Sequence, residues 1–488
     1  MRDKTAAISK ATDALLQLGI PDVLPKLREA EVFVKRFILG GSHSVVTYPP
    51  LNALQKVKTG DAINDFSYHG ESSLYVHIAF CETLCTFCHY AVKTYRGKNH
   101  SSTSRTEQVE RYLQSLKVEI QEWGSQLRSS ETVINSIYIG GGTPLILESN
   151  QLVAIINTIR REFHIKEDVE ICMEASPLTI TAPGGYEKLQ ILKKHGVTRI
   201  SFGIQSFDDE VLKRAARGYK QDTAILACEL VGQVFDNWNL DLIQSLYKGT
   251  LDEVWQNLNI LRIVRPPQLT WYHGRFAKRP QGEWYKNPDK KGDFEGEYDT
   301  LVGRMLLWQE LTDMGYRQVD GNRFVLDDRH AMTFNKILTS TDSNLLGVGA
   351  SSYSHVSVKS NSKDSNVYEG VLFRNTPDIN AYIEHMENGG KTIDSALKLD
   401  QNEYLARSYV IGMRKGKLAF QSFEGAAHES VSHYQKLEMK FLELGLLNRY
   451  QLGIESGIRL STLGLLFEDE VLSMFYSPKI TKYLDQSG

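Results

Sequence analysis

Cysteine is scarce in this chain: five residues among 488, with Cys81, Cys85 and Cys88 close together and Cys172 and Cys228 standing alone. A disulfide-built secreted scaffold is small and cysteine-dense, so that class is excluded. Long apolar runs are missing as well. Nowhere do about eighteen uncharged apolar residues follow one another, and no membrane span is expected. The opening stretch, MRDKTAAISKATDALLQLGI, carries charges throughout and lacks the apolar centre of a signal peptide. Neither sign of charge dominates, since 56 Lys+Arg stand against 59 Asp+Glu for a net charge of −3. With no dense Lys/Arg stripe in residues 400–488 either, the chain shows no footprint for nucleic acid. The remaining composition is that of an ordinary globular protein, and a cytoplasmic location is expected.

What is present is an alternation of strand and helix patterns. The apolar run Ser73-Leu-Tyr-Val-His-Ile-Ala-Phe80 predicts a strand leading into the cysteines. Helical periodicity over Arg111–Arg128, Gln151–Phe163, Gly185–His195, Asp208–Ala216 and Thr223–Phe235 alternates with strands at Ser136–Ile139, Val169–Glu174, Arg199–Ile204, Asn239–Ile243 and Leu269–Tyr272. Repeated βα units of this kind predict an α/β fold, a partial (β/α) barrel with helices outside. Residues 1–68 read as an N-terminal extension, 69–395 as the barrel core and 396–488 as a C-terminal helical, winged-helix-like domain. A long loop is expected over Lys278–Asp299, an exposed Ser/Lys/Asn-rich loop over Val356–Asn366, and a final hairpin from Gly445–Tyr450 and Ile458–Ser461.

The spacing Cys81-x3-Cys85-x2-Cys88 carries the chemistry. Thiolates hold iron–sulfur clusters, and three ligands for four irons leave one iron open. An open iron can chelate S-adenosylmethionine (SAM), and one electron delivered to the sulfonium then yields a 5′-deoxyadenosyl radical. Phe87, beside the third cysteine, is expected to shield a [4Fe–4S] cluster. Zinc is the bland alternative, but His77 and His89 lack finger-like spacing. Cys172 and Cys228 read as small buried apolar residues.

Residues Leu74 to Leu251 resemble the radical SAM superfamily, in the branch of oxygen-independent coproporphyrinogen III oxidase. Tyr75 lies in the strand leading to the cluster, and Gly140-Gly141-Gly142-Thr143-Pro144 resembles the glycine-rich element that meets the SAM amino group. The resemblance implies that Gly141, Gly142 and Thr143 contact SAM, that Glu174 and Gln205 line its site, that Arg217 lies near its carboxylate and that Asp241 binds its ribose. Leu346–Tyr353 is similar to a segment lining a second ligand site. Implied cofactors are a [4Fe–4S] cluster and SAM, with a flavodoxin or ferredoxin as electron donor and a small molecule as substrate.

Two departures bear on the reaction. The porphyrin-forming oxidases carry a further cysteine where this chain has Tyr90, and Ser245–Gly249 replaces a family turn. The missing cysteine, the Val46-Thr-Tyr-Pro-Pro50 segment and the Cys88-His-Tyr run favour a class C methyltransferase or cyclopropanase, which binds two SAM molecules and transfers a methyl or methylene group to an sp² carbon of a small unsaturated or aromatic metabolite. His89, Tyr90, Tyr272 and His273 are then candidates for the second SAM or for proton handling. Porphyrinogen oxidation or heme handling is the alternative.

Overall fold

The computed structural model describes residues 3–30, 32, 47–57, 71–88, 90–94, 102–128, 132–244, 246, 251–273, 297–338, 343–359, 368–390, 392–420 and 428–487. Of the expected features, His89, the Val46 end of the N-terminal segment, the Ser245–Gly249 turn save Leu246, and most of the Lys278–Asp299 loop lie outside them.

Thirteen strands make one sheet: β1 (Gln55–Lys56), β2 (Glu71–Ile78), β3 (Val133–Gly141), β4 (Ile165–Ala175), β5 (Arg199–Gln205), β6 (Trp238–Gln244), β7 (Gln268–His273), β8 (Arg317–Gln318), β9 (Arg323–Val325), β10 (Asn344–Val348), β11 (Tyr353–Lys359), β12 (Tyr368–Asn375) and β13 (Ile393–Leu399). Their spatial order is β1-β13-β12-β11-β10-β2-β3-β4-β5-β6-β7-β9-β8. Strands β2 to β7 pair in parallel, and β10 joins β2 in parallel on the other side. Both flanks are antiparallel: β9 and β8 beyond β7, and β11, β12, β13 and β1 beyond β10. The result is the expected α/β barrel core with a mixed sheet. Of the expected exposed loop Val356–Asn366, residues 356–359 are in fact the end of strand β11, with Val356 fully buried opposite Val371, and residues 360–366 lie outside the described residues. Its polar residues find partners inside: Tyr404 OH donates to Ser357 Oγ at 2.8 Å, and Ser357 N–H to Asn344 Oδ1 at 2.8 Å, which offsets the cost of burying them.

Period-two alternation sorts each parallel strand into two faces. Leu74, Val76 and Ile78 of β2, Ile137 and Ile139 of β3, Ile171 and Met173 of β4, and Ile200, Phe202 and Ile204 of β5 join the main apolar core. The intervening positions are polar or aromatic and form the lumen. Glu170 and Arg199 pair there at 3.1 Å, with the arginine fully buried. The Thr333–Leu338 helix lies across this floor: Thr333 N–H donates to Glu170 Oε1 at 2.9 Å, and Met332 N–H to Gln268 Oε1 at 3.1 Å.

The Lys4–Gln17 helix packs on the Glu297–Asp313 helix. Tyr48 is buried against the C-terminal region, donating to Glu403 Oε2 at 2.7 Å, and its carbonyl accepts from Arg407 Nη1 at 2.8 Å. After β13 the chain is helical apart from a small antiparallel sheet of Leu418–Ala419, Glu455–Leu460 and Leu447–Leu452. Among the described residues, no helix is long and apolar enough to cross a membrane.

Candidate active site

The three cysteines follow β2 on a loop at the C-terminal ends of the parallel strands, where barrels of this type carry their chemistry. Two backbone contacts fix the loop: Thr86 N–H donates to Ala215 O at 3.3 Å, and Cys88 N–H to Cys85 O at 3.1 Å. All three cysteines are half-buried. Burial pushes the Cys81 thiol up to about 12, with repulsion from Cys88 and Cys85 adding to it and a Thr143 hydrogen bond opposing it. A thiol that resists ionisation in the bare protein becomes a thiolate on taking a metal, which fits a ligand role. Arg217 Nη1 donates to Cys85 Sγ at 3.0 Å, placing a permanent cation against one sulfur. Phe87 packs with Val211, Ala215, Leu246 and Ile243, an apolar wall beside the third cysteine. Among the described residues, no three His, Cys, Asp or Glu side chains gather closely enough to hold a single ion.

Gly141 and Gly142 are required by contact. Gly141 has φ +107°, and a Cβ there would lie 2.4 Å from the His77 ring. A Cβ on Gly142 would lie 2.3 Å from Phe80 O. The bare backbone lets Gly142 N–H and Thr143 N–H donate to Ile78 O and Phe80 O at 2.8 and 2.7 Å, which locks the glycine element to the strand leading to the cysteines. Gly141 N–H donates to Glu174 Oε2 at 2.8 Å, and Tyr138 OH to Glu174 Oε1 at 2.6 Å. Burial raises Glu174 to about 7 despite those two bonds. Asp241 is likewise raised by burial, to about 6, with Asn239 Nδ2 donating to Oδ1 at 2.8 Å. Two part-buried carboxylates with no cation in salt-bridge contact among the described residues suit a cationic ligand.

Gln205 ends β5 in the left-handed region, φ +77°, with its amide folded over Gly203. Arg217 Nη2 donates to Gly203 O at 2.5 Å, so Gln205, Arg217 and Cys85 form one connected rim. Tyr75 stacks on Tyr138 at 6.0 Å, and its hydroxyl lies 3.2 Å from His77 Nδ1. The rim tyrosines Tyr90 and Tyr272 are 59% and 36% exposed, and both feel the charges of Glu174 and Asp241. His273 ends β7 opposite Gln244, and its side chain is outside the described residues. Gly349 follows β10 with φ +98° and packs against His77 O, bringing the Leu346–Tyr353 segment to the same end of the sheet.

Sequence reasoning missed His77 and Tyr138 as site residues. His77 is buried and held neutral, pushed down to about 4 by burial, with Nε2 bonded to Ala91 O at 3.0 Å. The signal was available: His77 lies two positions from Tyr75, and Tyr138 two from Gly140, so each shares a strand face with a recognised site residue. Cys172 and Cys228 are buried, as expected, and burial pushes both thiols up.

The radical SAM superfamily profile matches residues 75–261, the segment that carries the three cysteines, the glycine element, Glu174, Gln205, Arg217 and Asp241. Over that segment the chain is similar to the radical SAM superfamily. That superfamily uses a [4Fe–4S] cluster and SAM as cofactors, and the donor set described above fits both. Within the superfamily, similarity falls on one branch. The chain is 32% identical over 200 residues to the heme chaperone HemW of Buchnera aphidicola subsp. Schizaphis graminum, covering 41% of this chain and 50% of that one. It is 24% identical over 428 residues to HemW of Bacillus subtilis, covering 83% and 98%. Oxygen-independent coproporphyrinogen III oxidase of Salmonella typhimurium is 25% identical over 349 residues, covering 69% and 70%. The chain thus spans half the length of the Buchnera relative and nearly all of the Bacillus one. Among solved structures, coproporphyrinogen III oxidase (HemN) from Escherichia coli superposes with a TM-score of 0.72 at 21% identity, over 88% of this chain and 96% of that one.

These relatives overturn the expectation of methyl or methylene transfer to an sp² carbon. The features that favoured it were a missing cysteine, a Tyr-Pro-Pro segment and Cys88-His-Tyr. Losing a cysteine removes a group without supplying one, so it selects no acceptor. The similarity over the rest of the chain points to heme chaperones and porphyrinogen oxidases instead.

Proposed function

We propose that this protein is a radical SAM enzyme of tetrapyrrole metabolism whose mouth receives heme. One observation carries the reading: the alignment with the Bacillus subtilis heme chaperone spans 83% of this chain and 98% of that protein. Tyr90 agrees with it, standing exposed where the porphyrin-forming oxidases carry a cysteine. The aromatic wall of Tyr75, Tyr138 and Phe334 and the rim tyrosines Tyr90 and Tyr272 offer faces on which a flat ring can stack. Cys81, Cys85 and Cys88 hold the cluster. Glu174, Asp241, Gln205, Arg217 and the Gly141–Thr143 backbone hold SAM. The cluster, when bound, supplies one electron to the SAM sulfonium; a flavodoxin or ferredoxin would deliver it. A second reading, porphyrinogen oxidation, is favoured by the fold match to HemN along 96% of that chain.

The test is anaerobic incubation of the cluster-loaded, reduced protein with SAM and either heme or coproporphyrinogen III. The expected result is heme retained on the protein through gel filtration and coproporphyrinogen III unchanged. Oxidative decarboxylation of coproporphyrinogen III would shift the assignment to the second reading. Neither retention nor turnover would overturn both.

A further inference from the structure

Arg374 stands at the mouth with part of its guanidinium unused. It lies near the end of β12, which runs antiparallel to β11, and β11 begins where the Gly349 turn leaves β10. That end of the sheet is the one that carries the cysteines. In register Arg374 faces Tyr353, and cross-strand partners share a face of the sheet. Tyr353, Tyr75 and Tyr138 pack on one lumen cluster with Phe334. Arg374 therefore lies on the face of the aromatic wall, and His77 is within its field.

Ser351 fixes the guanidinium. It sits in the left-handed region, φ +66°, and its N–H donates to Thr376 O at 2.8 Å. Its carbonyl accepts from Arg374 Nε at 3.4 Å and its hydroxyl from Nη2 at 2.6 Å. Nη1 has neither a hydrogen bond nor an ion pair among the described residues, and it is not buried. With the outer hydrogen of Nη2 it makes an end-on fork, the shape that takes a carboxylate through two parallel bonds. No carboxylate among the described residues fills that fork. Asp394, the acid whose charge Arg374 feels, is paired with Lys56 at 2.6 Å. Arg374 is also half-buried, which disfavours its lone charge and strengthens its pull on an incoming anion.

We propose that Arg374 is a specificity-determining residue that takes a carboxylate of the ring bound at the mouth, the end of one propionate arm, while the ring lies against the aromatic wall. The inference rests on the tetrapyrrole reading and deepens it by naming the group that orients the ring. Because Ser351 holds the guanidinium before a ligand arrives, little side-chain freedom is lost on binding.

The experiment compares heme with its dimethyl ester, in which both propionates are masked, on the full-length, cluster-loaded protein. Wild type is expected to bind heme about tenfold more tightly than the ester, the value of one charge-assisted hydrogen bond. Arg374→Gln should erase that preference and Arg374→Lys restore part of it, with SAM affinity, read by equilibrium dialysis, unchanged in both. Should Arg374→Gln fail to fold, Ser351→Gly keeps a backbone suited to φ +66° and removes the hydroxyl that holds Nη2. That variant should lower heme affinity severalfold and leave the ester unaffected. Equal binding of heme and ester by wild type, or a preference kept in Arg374→Gln, would overturn the assignment while leaving the tetrapyrrole reading standing. Loss of SAM affinity in Arg374→Gln with the heme preference intact would overturn it too, and give the arginine to the carboxylate of SAM. Wild type binding neither heme nor ester would overturn the tetrapyrrole reading and the assignment with it.

Discussion

Arg217 Nη1 and Cys85 Sγ stand 3.0 Å apart, so the sulfur of one predicted cluster ligand accepts a hydrogen bond from a permanent cation. The same guanidinium reaches Gly203 O and the hydroxyl of Tyr219, which ties the cysteine loop to the end of β5. Hydrogen bonds and charge at a ligating sulfur favour the reduced, more negative cluster.

Replacing Arg217 with Met should therefore make the cluster harder to reduce. The expected shift is on the order of 50 mV to lower potential, about 1 kcal/mol for a one-electron couple. A redox titration followed by electron paramagnetic resonance measures it. An unchanged potential would mean that the contact only positions the loop.

Gly141 is expected to accept no side chain. Gly141→Ala places a methyl group 2.4 Å from the His77 ring at φ +107°, so SAM binding should be lost while iron content stays near wild type. Gly184, also left-handed at φ +77° but with nothing within 4 Å, is the matched comparison. Gly184→Ala should cost only about 1 kcal/mol and leave SAM binding intact. Equilibrium dialysis with SAM separates the two.

Binding of SAM should weaken in acid. SAM is cationic at its sulfonium and ammonium, and Glu174 sits at about 7 in the SAM-free protein because burial disfavours its charge. Below that pH the carboxyl must lose a proton to bind, so affinity should fall roughly tenfold per pH unit, and above it level off. Asp241, at about 6, adds a second step further down. Tyr138→Phe removes a hydrogen bond that lowers Glu174, so the upper midpoint should move to higher pH. Calorimetric titration from pH 5 to 9 reads both effects; a flat profile would remove Glu174 from the SAM site.

The Glu170–Arg199 pair should behave as a buried ion pair. Arg199→Met strands a carboxylate in the lumen floor and should cost about 3–5 kcal/mol, while adding Glu170→Gln should return much of it. Urea unfolding of the single and double variants gives the comparison.

The contrast between this pair and the cysteines shows what a sequence displays. Cys81, Cys85 and Cys88 lie within one loop, and Gly140–Pro144 on one strand end, so their chemistry is legible as spacing. Most of the parallel strands and the helices between them are legible too, because apolar residues at period two and 3.6 mark the outward faces. Glu170 and Arg199 sit on different strands, and nothing local shows that each neutralises the other. Arg323 and Arg414 meet around one cavity only through the packing of the C-terminal region. Strand β11 was hidden for a related reason: Ser357 reads as a surface residue until its N–H is seen to donate to Asn344 Oδ1 and its hydroxyl to accept from Tyr404 OH.

The cysteine loop as the centre of SAM cleavage is tested directly by one assay. Wild-type protein, cluster-loaded and reduced under anaerobic conditions, should convert SAM to 5′-deoxyadenosine detectable by mass spectrometry. The variant with Cys81, Cys85 and Cys88 all replaced by Ala should form none. Equal 5′-deoxyadenosine from the triple variant would contradict the assignment of this site.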